Sequence, residues 1–291
     1  MPELPDLAVV ADAFHAALAG RRITSVEAPG PLAVRGTPAE LAALVGQELL
    51  DLRRRGKFLI ARLNRDRIVF SPMLTGRFQL ASPGTPLPTK TAVVLGFGER
   101  ARPPRDAERW TRRADWLPAG DASAEMRYRD PTQMGKVYVL PEGVDRAVAG
   151  LGDAEQGLDA DDPALTLDVW RDRIRRHPGE LKNLLKNQAF VAGIGNAYSD
   201  EILHAAQLLP FRKRSSLAAE EVDALYAATG RTMAGAIETL RARVPPTFEK
   251  QARDWLAVHD KGGEPCPRCG TKISEVKPGG FVTSFCRGCQ R

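Results

Sequence analysis

Four cysteines in two closely spaced pairs constrain the C-terminal part of the chain more than any other feature. Cys266 and Cys269 form one Cys-x2-Cys pair, and Cys286 and Cys289 form the second. Pairs with this spacing place four thiolates around a tetrahedral Zn²⁺ ion in small zinc ribbons. Disulfides are the alternative, but they are rare in chains without a secretory signal. The pattern therefore predicts one structural zinc ion, because four sulfur ligands leave no open position for catalysis.

The first residues of the chain, MPELPD, carry a second chemical signal. Removal of Met1, which a small second residue permits, would leave Pro2 with a free secondary amine. An α-amino group titrates near pH ~8, so it is partly neutral at working pH and can attack an electrophilic carbon. Glu3 places a carboxyl group next to this amine. The plain alternative is an ordinary N-terminus followed by a solvated surface charge.

The charge of the chain favours a polyanionic partner. Its 291 residues carry a formal net charge of +6, and the pI is about 9.3. Basic residues concentrate at 53–57, 171–176 and 212–214. Each cluster alone is typical of a solvated helix face, but the three together favour a surface that follows phosphates. The apolar runs are shorter than the about 18 residues that cross a bilayer, and no secretory signal is visible, so we expect a cytoplasmic protein without a membrane partner.

The order of local patterns predicts an α+β protein. A helical pattern at 7–18 is followed by short strand patterns, which predict an N-terminal β-sandwich flanked by helices. The strand patterns lie at 23–27, 48–53, 58–63, 68–70, 77–80, 92–97, 126–129 and 137–140, with a helical piece at 38–45. The long segment 98–123 is rich in Pro and Arg, and we expect it to be either functional or mobile.

Helical patterns dominate the second half of the chain. They cover 167–177, 180–187, 197–207 and 218–243, and the cysteine pairs follow. Residues 149–163 are rich in Asp and Gly, which is typical of a linker. We therefore expect a β-sandwich domain at 1–148, a linker at 149–163, a helical domain at 164–258 and a zinc finger at 259–291.

Four stretches of the chain together resemble the formamidopyrimidine-DNA glycosylase/endonuclease VIII family. The start MPELPD resembles the family's MPELPE, and RRRGKFLI places Lys57 at the position of a family lysine. The stretch LKNLLKNQAFVAGIGNAYSDEILHAAQLLP resembles the family's helix–two-turns–helix motif, and CPRC…CRGCQ resembles its zinc finger. The resemblance covers nearly the whole chain in the same order. It implies a catalytic β-sandwich, a helix–two-turns–helix domain that binds DNA, and a zinc ribbon.

The resemblance also implies a bifunctional DNA glycosylase/AP lyase of base excision repair. Pro2 would attack C1′ of the damaged nucleoside and form a Schiff base, which permits β-elimination of the 3′-phosphate. Glu3 would serve as general acid/base, and Lys57 would act near the sugar and its phosphate. We expect the partner to be double-stranded DNA with damaged bases or abasic sites. We expect the protein to be associated with the nucleoid and to be a monomer.

DNA contacts are implied in both halves of the chain. Asn196, after the GIG turn at 193–195, would bind the phosphate near the lesion, and Lys182 would add positive charge. Three residues take the positions that fill the gap left by the extruded base: Leu74, Gln133 and Met134. The apolar ones are equally typical of a core, and Asn196 is also a normal helix N-cap.

Several positions depart from the family pattern. The segment DPTQMGK lacks the arginines and the aromatic residue of the family, so no opposite-base preference is transferred. Ser71 replaces a histidine, and Phe281 stands where an arginine holds phosphates, so we expect mainly a β-elimination product. The lesion-capping region at 242–253 is short and implies an open base pocket. Oxidised pyrimidines, hydantoins and bulkier lesions therefore compete with 8-oxoguanine and formamidopyrimidines as substrates.

Two other functions remain open from the sequence. One is a DNA-binding relative that recognises abasic or distorted DNA with little or no base excision. The missing arginines favour it, and the presence of Pro2, Glu3 and Lys57 opposes it. The other is a zinc-ribbon adaptor for nucleic acid, which leaves the N-terminal motif unexplained. Borohydride trapping on an abasic-site duplex separates a lyase from both.

Overall fold

The computed structural model describes residues 1–103, 109–110, 114–152 and 155–291. The chain divides into two compact units. The first unit contains Met1–Ala149 and Leu240–Gln251, and the second contains Gly150–Thr239 and Ala252–Arg291. Residues Leu240–Gln251 thus belong to the first unit, whereas the sequence assigned them to the helical domain. The domain boundaries themselves stay a prediction. Within the described ranges, no helix combines the length and apolar character needed to cross a bilayer.

Two β-sheets form the core of the first unit. Their strands are β1 (Arg21–Glu27), β2 (Val34–Arg35), β3 (Leu49–Arg55), β4 (Phe58–Leu63), β5 (Arg67–Ser71), β6 (Arg77–Ala81), β7 (Thr91–Arg100), β8 (Ala124–Arg129) and β9 (Lys136–Leu140). One sheet has the order β1-β7-β8-β6, and the other has the order β2-β9-β5-β4-β3. Phe70 of the second sheet packs edge-on against Phe78 of the first, with ring centroids 5.5 Å apart. The sheets therefore share one hydrophobic core.

The β-sandwich confirms the predicted fold, and all of the predicted strands are present. Only β2 was not predicted, because two residues are too short to form a recognisable pattern. The short helix α2 (Pro38–Ala42) ends before the predicted residue 45. Its start follows the expected rule, since the Thr37 hydroxyl accepts a hydrogen bond from the Glu40 N–H.

Helix α1 (Leu4–Leu18) is buried along most of its length, as expected for a helix that is apolar on nearly every side. It starts at Leu4 rather than at the predicted residue 7. The Asp6 carboxylate accepts the Glu3 N–H at 2.8 Å and so satisfies a donor at the helix start. Pro5 fits in the first turn, where its missing N–H has no helical partner to lose. This start places residues 2 and 3 at the edge of the core.

The segment 98–123 is anchored by one buried side chain. The Arg21 guanidinium is fully buried. It donates hydrogen bonds to the carbonyl oxygens of Gly98 and Ala122, at 2.9 and 2.5 Å, and to that of Ala119 at 2.7 Å. A buried guanidinium needs such acceptors, because its charge would otherwise be unsolvated. The two ends of the segment are therefore fixed to the same point of the first unit.

Helices build most of the second unit. They are α3 (Leu167–Arg176), α4 (Leu181–Lys186), α5 (Asn196–Ala206) and α6 (Ala219–Arg243). Thr166 caps α3 as predicted by accepting the Val169 N–H. Part of the predicted linker is packed, because the Gly157 N–H donates to the Gln188 carbonyl at 2.7 Å.

A β-hairpin lies between the two cysteine pairs. It contains β10 (Ser274–Val276) and β11 (Thr283–Phe285), which pair in antiparallel fashion. Val258 and Ile273 pack with Cys266 and Cys286 into a small separate core. This zinc hairpin, residues 274–285, matches the predicted ribbon.

Candidate active site and nucleic-acid interface

Pro2 and Glu3 are both buried at the start of α1. Only 2% of the Glu3 surface is exposed, which is unusual for a carboxyl group without a structural or chemical role. The adjacent position of a prolyl nitrogen and a buried carboxyl group suits nucleophilic attack with acid/base assistance. The catalytic roles of both residues stay predictions that this placement supports.

A small pocket lies beside Pro2. Its volume is about 20 Å³, enough for one or two water molecules. Its walls come from α1, from the start of β6 and from the segment 244–251, and they include Arg77, Phe248 and Gln251. These walls therefore adjoin Pro2.

Lys57 lies in the tight turn that joins β3 to β4. Gly56 before it has a φ of 54°, a left-handed conformation that glycine adopts without strain. The Lys57 side chain is half-buried rather than fully solvated. Its role near the sugar and phosphate stays a prediction.

The predicted gap-filling residues lie on two turns: Leu74 between β5 and β6, and Gln133 and Met134 between β8 and β9. The Thr75 hydroxyl donates to the Asp130 carboxylate, and this hydrogen bond joins the two turns. The Asp130 carboxylate also accepts the Gly135 N–H at 2.6 Å. The buried Asp130 therefore brings together the two turns, which are far apart in the sequence.

Large apolar side chains are exposed on these joined turns. Leu74 is 39% exposed and Met134 is 46% exposed, so neither belongs to the core. Met73 is 42% exposed and has a φ of 48°, which turns the chain sharply. Exposed apolar side chains on turns are suited to entering a base stack. Met73 was missed from the sequence, although the doublet Met-Leu within a turn is the signal that points to it.

The residues that were predicted to bind a phosphate lie at the start of α5. Gly193 has a φ of 98°, a left-handed conformation that suits glycine, and Gly195 immediately precedes the first helical residue. The Asn196 amide donates from Nδ2 to the Val282 carbonyl at 2.9 Å. Its Oδ1 is buried and has no hydrogen-bond partner among the described residues. The helix start and the zinc hairpin are thus joined at this site.

Lys182 is also engaged with the zinc hairpin. It is 4% exposed, pairs with Asp200 at 2.6 Å and donates to the Val282 carbonyl at 2.8 Å. The second Asp200 oxygen lies 2.8 Å from His259 Nδ1 and accepts the Ser284 N–H. This buried network links α4, α5 and the hairpin. Because Asp200 compensates the Lys182 charge, the contacts favour a positioning role, and the DNA contact of Lys182 stays a prediction.

Phe281 lies at the tip of the zinc hairpin and is 55% exposed. The Lys186 ammonium group is 5.3 Å from the centre of the Phe281 ring, which is a cation–π contact. Lys186, which was missed from the sequence, therefore brings a positive charge to the position where the resemblance places an arginine. The signal for it is the last lysine of the LKNLLK motif.

Three arginines of the basic clusters make contacts within the second unit. Arg171 pairs with Asp223 at 2.5 Å, and Arg212 pairs with Glu221 at 2.6 Å. Arg173 donates to two backbone carbonyls of the α4–α5 connection. The guanidinium groups of these three arginines are thus engaged within the second unit, and the phosphate-following surface stays a prediction.

The four cysteine sulfurs lie within 4.8 Å of one another, and all four cysteines are free. The sulfurs of Cys266 and Cys289 are 3.9 Å apart, and those of Cys269 and Cys286 are 3.4 Å apart. A tetrahedral ion with metal–sulfur bonds of about 2.3 Å places its sulfurs about 3.8 Å apart. The cluster therefore fits a structural metal ion and excludes the disulfide alternative.

The four thiols of the cluster do not ionise alike. Hydrogen bonds with Thr271 lower the pKa of Cys269 to about 6, whereas burial raises the pKa of Cys289 to about 12. Four neighbouring thiolates repel one another unless a cation compensates them. His204 of α5 lies 3.3 Å from the Cys266 sulfur, and burial lowers the pKa of His204 to about 4, so its imidazole is neutral.

Three family models match the chain in order. The formamidopyrimidine-DNA glycosylase N-terminal domain matches residues 1–137, and the formamidopyrimidine-DNA glycosylase H2TH domain matches residues 156–244. The zinc finger found in FPG and IleRS matches residues 263–291. These segments contain the N-terminal site, the α5 phosphate site and the cysteine cluster.

Similar proteins cover the whole chain. The formamidopyrimidine-DNA glycosylase of Symbiobacterium thermophilum is 33% identical, and the alignment covers 100% of this chain and 89% of that protein. That of Geobacillus kaustophilus is 32% identical with full coverage of both chains. A crystal structure of Lactococcus lactis Fpg with abasic-site DNA has the same fold, with a TM-score of 0.82, 24% identity and 99% coverage of both chains.

The sandwich, the two-turn helical motif and the cysteine cluster define a DNA glycosylase with a zinc-finger domain. More particularly, the chain belongs to the formamidopyrimidine-DNA glycosylase/endonuclease VIII family, whose members are DNA glycosylases with abasic-site lyase activity.

Proposed function

We propose that this chain is a bifunctional DNA glycosylase/AP lyase of base excision repair that works through Pro2 and Glu3. The observation that carries the proposal is the burial of both residues at the start of α1, beside a pocket, in a member of this family. Its partner is double-stranded DNA that contains an oxidised base or an abasic site. The protein works as a monomer on the chromosomal DNA of the nucleoid.

The reaction begins at the prolyl nitrogen. Removal of Met1 leaves Pro2 as a secondary amine, and its nitrogen bonds to C1′ while the base leaves with the electrons of the glycosidic bond and takes up the proton that the nitrogen loses. Glu3 transfers a proton to the sugar ring oxygen, so that the ring opens and an iminium forms. Loss of a C2′ proton then expels the 3′-phosphate by β-elimination. Water hydrolyses the remaining iminium and restores the amine.

The other site residues hold the substrate. Lys57, on its turn, stabilises the phosphate next to the reacting sugar. Asn196 and the backbone N–H groups at the start of α5 bind the phosphate near the lesion. The exposed side chains of Leu74 and Met134 fill the gap in the base stack, with Gln133 beside them.

The metal is proposed to be one Zn²⁺ ion held by the four cysteines. Tetrahedral sulfur coordination with Cys-x2-Cys pairs is the usual site for this ion. The ion, when bound, stabilises the ribbon fold. The cysteines and His204 orient the hairpin that contacts Asn196 and Lys182.

Borohydride trapping tests the proposal. The wild type, incubated with an abasic-site duplex and borohydride, should give a stable protein–DNA adduct. A variant with an uncleavable extension before Pro2 should give none, whereas the same extension after Arg291 should leave trapping intact. Glu3→Gln should lower base excision much more than trapping on a preformed abasic site. Equal trapping by the N-terminally extended variant would refute the prolyl mechanism.

The second candidate is a DNA-binding relative with little or no base excision. The exposed Phe281 and the compensated charge of Lys182 favour it, because both reduce the phosphate contacts expected of the hairpin region. A panel of duplexes, each with one damaged base, separates the two functions. Base release from at least one duplex supports the glycosylase, whereas duplex binding without base release and without a trapped adduct supports the alternative.

A further inference from the structure

The five methionines of the chain differ sharply in exposure, and all of them lie within the described ranges. Met126 on β8 and Met233 on α6 are buried, with 1% and 0% of their surfaces exposed. Met73 and Met134 are 42% and 46% exposed, and they lie on the two joined turns, between β5 and β6 and between β8 and β9. Met1, the fifth, is removed in the proposed function. Every exposed methionine that then remains lies on the turns that carry the proposed gap-filling residues.

The backbone of both turns is fixed by local constraints. Met73 has a φ of 48° and Gln133 has a φ of 57°, left-handed conformations that such residues keep only where the surrounding structure imposes them. The Lys136 ammonium group donates to the Met134 carbonyl at 2.9 Å and to the Gln133 carbonyl at 3.3 Å. The exposure of the two methionines is therefore a property of the folded turns.

An exposed thioether sulfur reacts with hydroperoxides. The sulfur lone pair attacks one oxygen of hydrogen peroxide, and the O–O bond breaks. The proton on the transferred oxygen moves to the departing hydroxide, which leaves as water. The sulfur is thereby oxidised by two electrons to a sulfoxide, and the peroxide is reduced. Because burial shields Met126 and Met233 from the oxidant, this reaction should select the two turns.

Oxidation at these turns opposes the task proposed for them. A side chain that fills the gap left by an extruded base lies between the faces of neighbouring bases, where water is excluded. A sulfoxide is polar and loses its hydrogen bonds with water there, whereas an apolar thioether has none to lose. A nucleotide without a base has already lost its stacking, so gap filling matters less at an abasic site. The sulfoxide should therefore weaken base excision more than abasic-site nicking.

We propose that Met73 and Met134 form a reversible modification site, at which hydroperoxides convert the two thioethers to sulfoxides and thereby lower base excision. Oxidised bases, the proposed substrates, arise from the same class of oxidant. The proposal rests on the proposed function, because it requires the two turns to enter the base stack. Methionine sulfoxide reductases reverse the modification, since they use thiols as the reductant and release the added oxygen as water.

Peptide mass spectrometry after brief treatment with hydrogen peroxide tests the selectivity. Sulfoxide should form at Met73 and Met134 at least about tenfold faster than at Met126 and Met233, which serve as internal controls. A bound duplex with a tetrahydrofuran abasic-site analogue should slow oxidation at both turns several-fold, because the turns then face bases. Equal rates at all four methionines, or the same rates at the turns with and without the duplex, would overturn the inference.

The activity of the same samples tests the consequence. Sulfoxide at both turns should lower base excision from a duplex with an oxidised base about tenfold, since burial of one unpaired polar group has a cost of about this factor. Nicking of a preformed abasic site should stay within about twofold of the untreated sample. The two methionine sulfoxide reductases, one for each epimer, should restore excision, and they do not repair oxidised cysteine ligands. Excision that stays low after the sulfoxides are reduced would contradict the inference.

The double variant Met73→Leu/Met134→Leu is the matched test, because leucine keeps a similar apolar volume and has no sulfur. Each variant is compared with its own untreated sample. The double variant should keep its excision rate after peroxide treatment, whereas Met126→Leu, altered on the buried strand β8, should lose excision as the wild type does. Equal fractional losses in the double variant and the wild type would refute the modification site. An untreated wild type that releases no base and forms no borohydride adduct would instead contradict the proposed function, so the two failures are distinguishable.

Discussion

The N-terminal site in the first unit and the zinc hairpin in the second unit are held in place by different forces. Glu3 and Phe14 are buried with apolar neighbours that need no metal ion. The hairpin instead depends on the cysteine cluster and on the ionic network around Lys182 and Asp200. Apolar packing thus holds the residues proposed for catalysis in place, whereas ion pairing and metal coordination hold the proposed phosphate site in place.

The residues proposed for catalysis and the residues proposed for DNA binding are therefore stabilised by different interactions. Packing is insensitive to salt and chelators, while a thiolate cluster and a buried ion pair depend on their partners. Perturbations of each kind should therefore act on one unit and spare the other.

Metal removal should have the largest effect on structure, and it tests most directly whether the two units are stabilised by different interactions. Structural zinc contributes roughly 10 kcal/mol or more of apparent folding free energy in small fingers, and Cys286 is part of the hairpin core. Chelation, or Cys286→Ser, should abolish amide protection at 262–291, while α1 and β4 keep theirs. Hydrogen-exchange mass spectrometry measures both. Equal loss of protection in the first unit would contradict the distinction.

Lys182→Met should have the next largest effect. Removal of one partner leaves the Asp200 carboxylate buried without its cation, which costs about 3–5 kcal/mol. Urea unfolding monitored in the second unit measures the loss. Lys186→Met, on the same helix, is the matched control and should cost less than about 1 kcal/mol, because it removes only an exposed cation–π contact. Similar losses in both variants would show that burial of the charge does not matter.

Phe281→Arg should sharpen the comparison by adding a phosphate contact to the hairpin. The plot of log K for duplex binding against log salt should become steeper by about 0.9, the contribution of one neutralised phosphate. Affinity at low salt should rise several-fold. Phe281→Leu serves as control and should leave the slope unchanged. An identical slope for Phe281→Arg would place the hairpin tip away from the phosphates.

Asp51→Asn should produce the smallest effect, confined to acid pH in the first unit. Burial favours the neutral form of Asp51, but its hydrogen bond with His15 and the charges of Arg53 and Arg109 outweigh this and lower the pKa of Asp51. The carboxylate therefore stabilises the fold above its ordinary pKa, and this contribution is lost as pH falls through the lower folded-state value.

The measurement for this prediction is thermal unfolding of wild type and Asp51→Asn between pH 6 and pH 3. The wild type should be the more stable protein near pH 6, and the difference in unfolding temperature between the two proteins should become smaller below about pH 4. A difference in unfolding temperature that is constant over this range would mean that the charge of Asp51 does not contribute to stability.

Local patterns were sufficient for much of the fold. The cysteine spacing predicted the cluster, the Thr166 cap marked the start of α3, and all of the longer strands were recognised. Each of these signals depends on residues close together in the chain, through ligand spacing, capping geometry or alternation of apolar side chains. The resemblance added the roles of Pro2 and Glu3.

The partners of basic residues could not be predicted from the sequence. Arg171 and Lys182 each pair with an aspartate that is distant in sequence, and the DNA contact of Lys182 stays a prediction. A basic residue looks the same in sequence whether its partner is DNA or a buried carboxylate, because the pairing depends on packing of separate helices.

The amino-acid sequence by itself determined the order of elements, the metal ligands and the chemical character of the N-terminus, because these follow from short-range spacing and side-chain chemistry. Only the tertiary structure decided that the segment 244–251 lines a pocket with Pro2, and which basic side chains pair with carboxylates of the same chain. Contacts between residues far apart in the chain are set by how whole elements pack, and no local pattern records them.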